Sequence, residues 1–408
     1  MAQYQITVDS QLLQQLFLGN SQDSGVAKLL ESVLNQVLQA QATEQLSAEP
    51  YERTDERQGY RNGTYPHQLT TRVGTITLRV PRIRNGKFST EMFARFQRSE
   101  QALVLALMEM VVNGVSTRKV AHITEELCGT EFSKSTVSDL CKRLDPIVTA
   151  WNNRNLRESF YPFLIVDALV LKVREEGRVR SRGVMLAYGV NMEGYREVLG
   201  LMLGDSESEA SWSEFFSWLK DRGLRGVELI VSDQHGGLVR AIRTHFQGVT
   251  WQRCQTHFMR NILDATPKQL QGELYPRVRA ILDAPDLETA RLLLQQTVET
   301  YEAKAAKAIS VLENGFDDAT AVLLLPEKYR KRLRTTNGME RLNEEIRRRE
   351  RVIRIFPNRE SVIRLIGALL MEIDEKWASG KKYLDMAEYL EWRETQGTKA
   401  VSKVTRIG

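Results

Sequence analysis

The chain has 408 residues, 42% of them hydrophobic and 27% charged, with a net charge of +5 and a pI of about 9.0. That length points to two or three domains, and that apolar content excludes wholesale disorder. The mild positive balance permits a polyanionic partner without demanding one, and three cysteines are too few for a disulfide framework. The first residues lack a signal-peptide pattern, and the longest apolar run, 103–112, is too short to span a bilayer, so a cytoplasmic protein with no membrane partner is expected.

Residues 1–48 read as helical. Val26, Leu29, Leu30, Val33, Val37 and Leu38 recur at helical spacing, a face suited to packing on its own domain or to dimerisation. Residues 49–98 change character. YERTDERQGYRNGTYPHQLTTRVGTITLRVPRIRNGKF (51–88) alternates apolar and polar residues between glycine and proline turns, which reads as a β-hairpin. Arg57, Arg61, Arg72, Arg79, Arg82, Arg84 and Lys87 make it basic. Such a hairpin is either an edge kept soluble by charge or a nucleic-acid surface.

Residues 99–150 become helical, with short helices over Ser116–Leu127 and Val137–Leu144 broken at Gly129. Ser133-Lys134-Ser135-Thr136 offers an N-cap to the second. This is the spacing of a helix-turn-helix, which would place Ser133, Lys134, Ser135 and Ser138 toward a DNA groove, with Arg118 and Lys119 opening the first helix. An ordinary helical hairpin has the same pattern.

Residues 151–257 alternate strand and helix. Strands are predicted at 163–173 (FLIVDALVLKV), 183–190, 197–203, 227–231 and 249–251, with helices over 206–224 and 237–246. Three consecutive strands followed by helix, strand, helix, strand is the order expected of a ribonuclease-H-like fold. Residues 258–335 show only helical spacing. Residues 336–372 supply a further helix of the core. Residues 373–408 are a C-terminal helix and tail, expected to lose structure from Thr395.

Three carboxylates draw attention. Asp167 interrupts an apolar strand, where a charge is costly unless paired or bound to metal. Asp233 follows a strand just before Gly236-Gly237, where α/β folds place chemistry, although an N-cap role is equally available. Neighbouring parallel strands would bring the two together, and two adjacent carboxylates repel unless a divalent cation neutralises them. Oxygen ligands suit Mg²⁺ or Mn²⁺, two ions of which can drive phosphodiester cleavage. For a third carboxylate, Glu340, Glu344 and Glu345 compete in TTNGMERLNEEIRRRERVIRIFPN (335–358). With Met339, Leu342, Ile346 and Ile353 as the buried stripe, Glu340 lies at its edge beside Thr336, Asn343 and Arg347, which favours it. Arg334, Arg341, Arg347, Arg348 and Arg349 form a second basic patch, some facing phosphates and some pairing with glutamates. Cys254-x-x-His257 is half a zinc site with no second pair nearby, so no zinc is expected.

The stretches DALVLKVREEGRVRS (167–181), GVNMEGYREVLGLMLGDSESEASW (189–212), SDQHGGL (232–238), WQRCQTHFMRN (251–261) and TTNGMERLNEEIRRR (335–349) carry a resemblance. Over roughly residues 50–370 the chain resembles bacterial insertion-sequence transposases of the mutator-like superfamily. The resemblance implies an α/β ribonuclease-H-like catalytic core with a mixed five-stranded sheet, interrupted by an all-helical insertion and preceded by helical and hairpin DNA-binding domains. Asp167, Asp233 and Glu340 match the family's catalytic, metal-binding DDE set, with His235, Cys254, His257 and Asn337 expected near the active site. Also implied are two Mg²⁺ (or Mn²⁺) ions, terminal inverted repeats and target DNA as partners, a homodimer, a nucleoid location, and cleavage with strand transfer by a copy-out route through a circular intermediate. A ribonuclease-H-like nuclease or junction resolvase, or a non-catalytic DNA-binding regulator, are the alternatives.

Overall fold

The computed structural model describes residues 6–8, 10, 22–71, 73–84, 88–90, 92, 101–128 and 132–404. The chain divides into two compact units, residues 1–143 and 144–408. Arg72, Lys87 and Gly129 lie outside the described residues.

The first unit contains helix α1 (Gln22–Leu46), strands β1 (Tyr60–Thr71) and β2 (Gly74–Arg84), and short helices α2 (Gln101–Val112), α3 (Thr117–Cys128) and α4 (Lys134–Cys141). The two strands pair antiparallel, turning through Gly74, whose φ of 120° suits glycine. Leu69, Ile76, Leu78 and Val80 alternate onto one face and meet Leu30, Leu34 and Leu38 of α1. Of the predicted stripe of α1, Leu30 and Leu38 thus face its own hairpin, while Val26, Leu29, Val33 and Val37 are half-buried outside this cluster. Polar residues of α1 also close the outer edge of β2. Glu31 accepts from the Thr77 amide at 2.9 Å, and Asn35 accepts from the Arg79 amide at 2.6 Å. Helix α4 begins earlier than its apolar spacing suggests. Ser133 caps it, accepting from the Thr136 amide at 3.1 Å, and a 3₁₀ turn follows its end at Cys141.

The second unit opens with α5 (Asp145–Asn152) and the long antiparallel strands β3 (Phe163–Glu175), β4 (Arg178–Val190) and β5 (Arg196–Gly204). Then come α6 (Glu209–Asp221), β6 (Leu229–Ser232), α7 (Gly236–His245) and β7 (Thr250–Arg253). The sheet runs β5-β4-β3-β6-β7, with β6 and β7 parallel to β3. Leu164 and Val166 of β3 face α6 and α7, where Trp212, Phe215, Phe216, Leu238 and Ile242 complete a core. The alternate β3 residues face the opposite side: Phe163 packs edge-on against Tyr389.

A helical block follows, with α8 (Gln255–Asp264), α9 (Gln271–Leu282), α10 (Leu287–Tyr301) and α11 (Ala306–Thr320) around Phe258, Leu274, Val278, Leu312 and Phe316. Buried Gln252 of β7 ties it to the sheet. Its amide donates to Ala319 O at 2.8 Å and accepts from the Val322 amide at 2.6 Å. Helices α12 (Glu327–Leu333), α13 (Asn337–Ile353), α14 (Arg359–Ala378) and α15 (Ala387–Val404) complete the chain. Helix α15 runs through Thr395, where loss of structure was expected. Its start is anchored by a Tyr389–Glu228 hydrogen bond and an Arg393–Glu228 ion pair at 2.9 Å.

The outer edge of β5 is also closed by side chains. Asn152 donates to Leu201 O at 2.9 Å and accepts from the Leu201 amide at 3.0 Å. A bulge shifts the β4–β5 register at Ala187/Tyr188, and Asp374 of α14 accepts from the Val198 amide beside it at 2.7 Å. Among the described residues, no helix is long and apolar enough to cross a membrane.

Candidate active site

Strand β3 is buried on both faces from Phe163 to Val166 and on alternate residues beyond Asp167. The change has a simple origin. Strand β6 pairs only with Phe163–Ile165 and ends at Ser232, so one edge of β3 opens there. Helix α13 lies along that open edge: Asn343 donates to Asp167 Oδ2 at 2.7 Å, and Arg347 donates to Val170 O at 3.0 Å. Past the helix, Phe356 continues the edge through backbone bonds to Lys172 and Arg174 at 2.9 and 2.8 Å.

Asp167 and Asp233 are in step. The last β3–β6 pair is Ile165–Val231, and continuing that register by two residues sets Asp167 beside Asp233. Burial pushes the Asp167 carboxyl up to about 7, and the charge of Asp233 adds to the rise. Hydrogen bonds from the Ala168 amide, at 2.9 Å, and from Asn343 offset part of it. Asp233 Oδ1 is buried with no hydrogen-bond partner, a costly state for an acceptor in a protein interior.

Glu207 is a fourth acidic group at this place. It precedes α6, and its carboxyl is raised by burial and by Asp233, against the pull of His235. His235 Nδ1 stands 3.5 Å from Glu207 Oε1. The loop carrying Glu207 lies against the start of α7. A Cβ on Gly237 would come within 2.6 Å of the Glu209 backbone nitrogen, so only glycine permits this approach.

Glu340 sits in the first turn of α13. The approach of that turn to β4 is equally close, since a Cβ on Gly338 would meet Tyr188 Oη at 2.5 Å. Cys254 joins the pieces. Its amide donates to Ser232 O at 2.7 Å, at the end of β6, and its Sγ accepts from Thr336 N and Oγ1 at 3.5 and 3.3 Å, at the start of α13. Burial raises the Cys254 thiol, but the neighbouring His257 imidazole and the hydrogen bonds from Thr336 outweigh it and leave the thiol below its ordinary value. The adjacent Cys254 thiol raises His257 above the usual imidazole range, with Asp233 and Glu340 acting in the same direction. His257 Nε2 lies 3.9 Å from Glu340 Oε1.

Cys254, His257 and Glu340 each bring one donor atom within 4.8 Å of the others; Asp167, Asp233 and Glu340 are not gathered within that distance. The pair that the sequence presented as half a metal site thus acquires a third donor from a remote helix. Glu344 is exposed, and Glu345 pairs with Arg348 at 3.3 Å and with Arg349.

The buried stripe of α13 is Met339, Leu342, Ile346 and Arg349, not Ile353. Arg349 is buried along its whole side chain and pairs with Glu345 one turn back, so it is turned inward and not toward solvent. Arg347 pairs with Glu350 at 2.6 Å, and Arg334 with Asp283. Arg341 and Arg348 are exposed. Asn337 lines two cavities that flank the first turn of α13. One, of about 470 Å³, includes Tyr275, Arg279, Lys331 and Arg334; the other, of about 360 Å³, includes Arg196, Arg332 and Arg341.

In the first unit, Arg79, Arg82 and Arg84 are exposed on β2, and Arg82 lies over the ring of Tyr65 at 5.2 Å. Arg57 lies over Tyr60 at 4.7 Å. Arg61 turns back instead, donating to Thr43 Oγ1 at 2.6 Å. Arg118, Lys119, Ser133, Lys134, Ser135 and Ser138 are all exposed.

Glu207 and the Asn343–Asp167 bond were missed in the sequence. Glu207 stands in a run of serines and glutamates that reads as a helix start, and only tertiary packing aims it at Asp233. Asn343 had a visible signal, one helical turn from Glu340 on the same face.

Residues 1–380 match the family model described as Transposase, Mutator family. The chain is 46% identical over 388 residues to the transposase for insertion sequence element IS256 in transposon Tn4001 of Staphylococcus aureus, covering 94% of this chain and 99% of that protein. It is 45% identical over 371 residues to the transposase for insertion sequence element ISRM5 of Rhizobium meliloti (strain 1021), covering 91% and 93%. To the transposase for insertion sequence element IS1081 of Mycobacterium tuberculosis it is 38% identical over 359 residues, covering 88% and 86%.

Proposed function

Given that this chain belongs to the Mutator family of transposases, we propose that it cleaves and joins DNA at the ends of an insertion sequence, with Asp167, Asp233 and Glu340 as its catalytic carboxylates on a ribonuclease-H-like core. The observation that carries this reading is the Asp167–Asp233 pair. One carboxyl is held near neutrality by burial and by the other, and the other has a buried oxygen with no partner. Such a pair calls for a cation.

The donors fit a hard divalent ion, because Asp167, Asp233 and Glu340 offer oxygen alone. Bound there, Mg²⁺ or Mn²⁺ would neutralise the carboxylates, polarise the scissile phosphodiester and acidify the attacking water or 3′-hydroxyl. The chain's own part is positional. Asn343 fixes one oxygen of Asp167, leaving the other toward the Ala168 amide. Cys254 spaces the strand end bearing Asp233 from the helix start bearing Glu340. Arg341, with Arg196, Arg332 and Lys331 around the flanking cavities, would hold the phosphodiester backbone beside the site.

In the first unit, the Arg–Tyr face of the hairpin and the serine-rich start of α4, read as the second helix of a helix-turn-helix, would bind the terminal inverted repeats. A homodimer would hold two ends, and joining them would yield a circular copy-out intermediate.

The test is cleavage and strand transfer on labelled element ends with Mg²⁺. Glu340→Gln is expected to bind ends yet lose both steps by at least about a hundredfold, while Glu344→Gln keeps them. Full activity in Glu340→Gln would remove Glu340 from the set. For the wild-type chain, cleavage without joining would favour a nuclease, and binding with neither would favour a regulator.

A further inference from the structure

Cys254 caps α8 and His257 lies in its first turn, so the two side chains leave the helix on one side. By themselves they are half of a soft-metal site. The fold adds Glu340 from α13, and the three donor atoms come within 4.8 Å of one another. Among the described residues, no other three His, Cys, Asp or Glu side chains are gathered so closely.

The donor set differs in kind from the carboxylate pair. Thiol plus imidazole favours Zn²⁺, Cd²⁺ or Co²⁺ over Mg²⁺. Both Thr336 groups that touch Cys254 Sγ act as donors, so the sulfur is arranged as an acceptor, as a ligating thiolate must be. His257 Nδ1 is buried without a hydrogen-bond partner. The sulfur is fully enclosed, whereas the His257 and Glu340 side chains are 29% and 39% exposed, so an ion would enter from their side and keep a water as its fourth ligand.

We propose that Cys254, His257 and Glu340 form a binding site for a thiophilic divalent cation such as Zn²⁺, and that filling it draws Glu340 away from Asp167 and Asp233 and so inhibits the enzyme. The first half stands on the geometry alone; the second rests on Glu340 being a catalytic ligand.

Titration of Co²⁺ into the metal-free full chain, followed by visible absorption, tests the site. The expected result is a thiolate-to-cobalt charge-transfer band that Zn²⁺ abolishes by displacement. Cys254→Ser should remove the band, and Cys128→Ser and Cys141→Ser should leave it. Because Cys254 is buried, His257→Gln and Glu340→Gln provide an independent arm: each keeps the sulfur and should weaken Co²⁺ binding by about tenfold or more. No band, a band that survives Cys254→Ser, or unchanged affinity in both other variants overturns the site.

For the inhibitory half, Zn²⁺ is added to end cleavage in excess Mg²⁺. Half-inhibition in His257→Gln, relative to its own zinc-free rate, should need about tenfold more Zn²⁺ than in wild type. If the band forms but Zn²⁺ leaves cleavage untouched, the sharing of Glu340 is overturned. Normal zinc-free cleavage by Glu340→Gln would instead overturn the catalytic reading, with the cobalt spectrum still reporting on the site.

Discussion

Asp167 is where stability and the proposed chemistry oppose each other. Its carboxyl titrates near 7 when folded, well above its unfolded value. Between about pH 4 and pH 7 the folded chain therefore holds a proton that the unfolded chain has released, so stability falls as pH rises through that window. Above it, the full cost of a buried charge remains, on the order of a few kcal/mol. Asp167→Asn removes the charge. In metal-free buffer it should raise Tm at pH 8 and change it little at pH 4, while abolishing cleavage. Equal shifts at both pH values, measured by calorimetry, would show that the carboxylate is not strained. Asp167 was legible in the sequence because a charge inside an apolar strand breaks a pattern. Glu207 was not, because a glutamate among serines before a helix breaks none.

At the scale of elements, the site depends on two glycines and a short strand. Gly237→Ala would press a Cβ onto the backbone of Glu209, which cannot swing aside as a side chain would. A loss of about 1–3 kcal/mol is expected, with activity falling further, because the displaced loop carries Glu207 and the helix begins beside Asp233. Chemical denaturation alongside cleavage rates would check both. Asn152→Ala should cost about 1–3 kcal/mol with the site unaltered, since it leaves two backbone groups of β5 without partners. A variant as stable as wild type would mean that water replaces the side chain. The strands and their order were readable from runs of apolar residues between turns. So was the face of α13 shared by Glu340, Asn343 and Arg347, since helical spacing alone sets it. The burial of Arg349 was not. An arginine that is buried whole and pairs one turn back looks like any other in a run of arginines.

Across the whole molecule, arginines gather at two places. The hairpin of the first unit presents Arg79, Arg82 and Arg84, while the second unit gathers Arg196, Arg332 and Arg341 around the start of α13. If the hairpin binds phosphates, Arg82→Ala should weaken binding to element ends and reduce the slope of log K against log salt by about one. An unchanged slope would mark the hairpin charges as solubilising only. Membership of the transposase family was legible because its motifs lie in contiguous stretches, such as SDQHGGL and TTNGMERLNEEIRRR. The meeting of Cys254, His257 and Glu340 was hidden, because the last residue stands 83 positions beyond His257 and a helical block intervenes.

The proposed function rests on Asp167, Asp233 and Glu340 holding the divalent ion that acts on DNA. It can be tested by replacing Mg²⁺ with Fe²⁺ in the presence of ascorbate and peroxide and mapping the breaks in the polypeptide by mass spectrometry, with Zn²⁺ excluded. Breaks clustered beside Asp167, Asp233 and Glu340, competed by Mg²⁺ and absent from Asp233→Asn, are predicted. Breaks confined to other segments, or the same pattern in Asp233→Asn, would contradict the assignment.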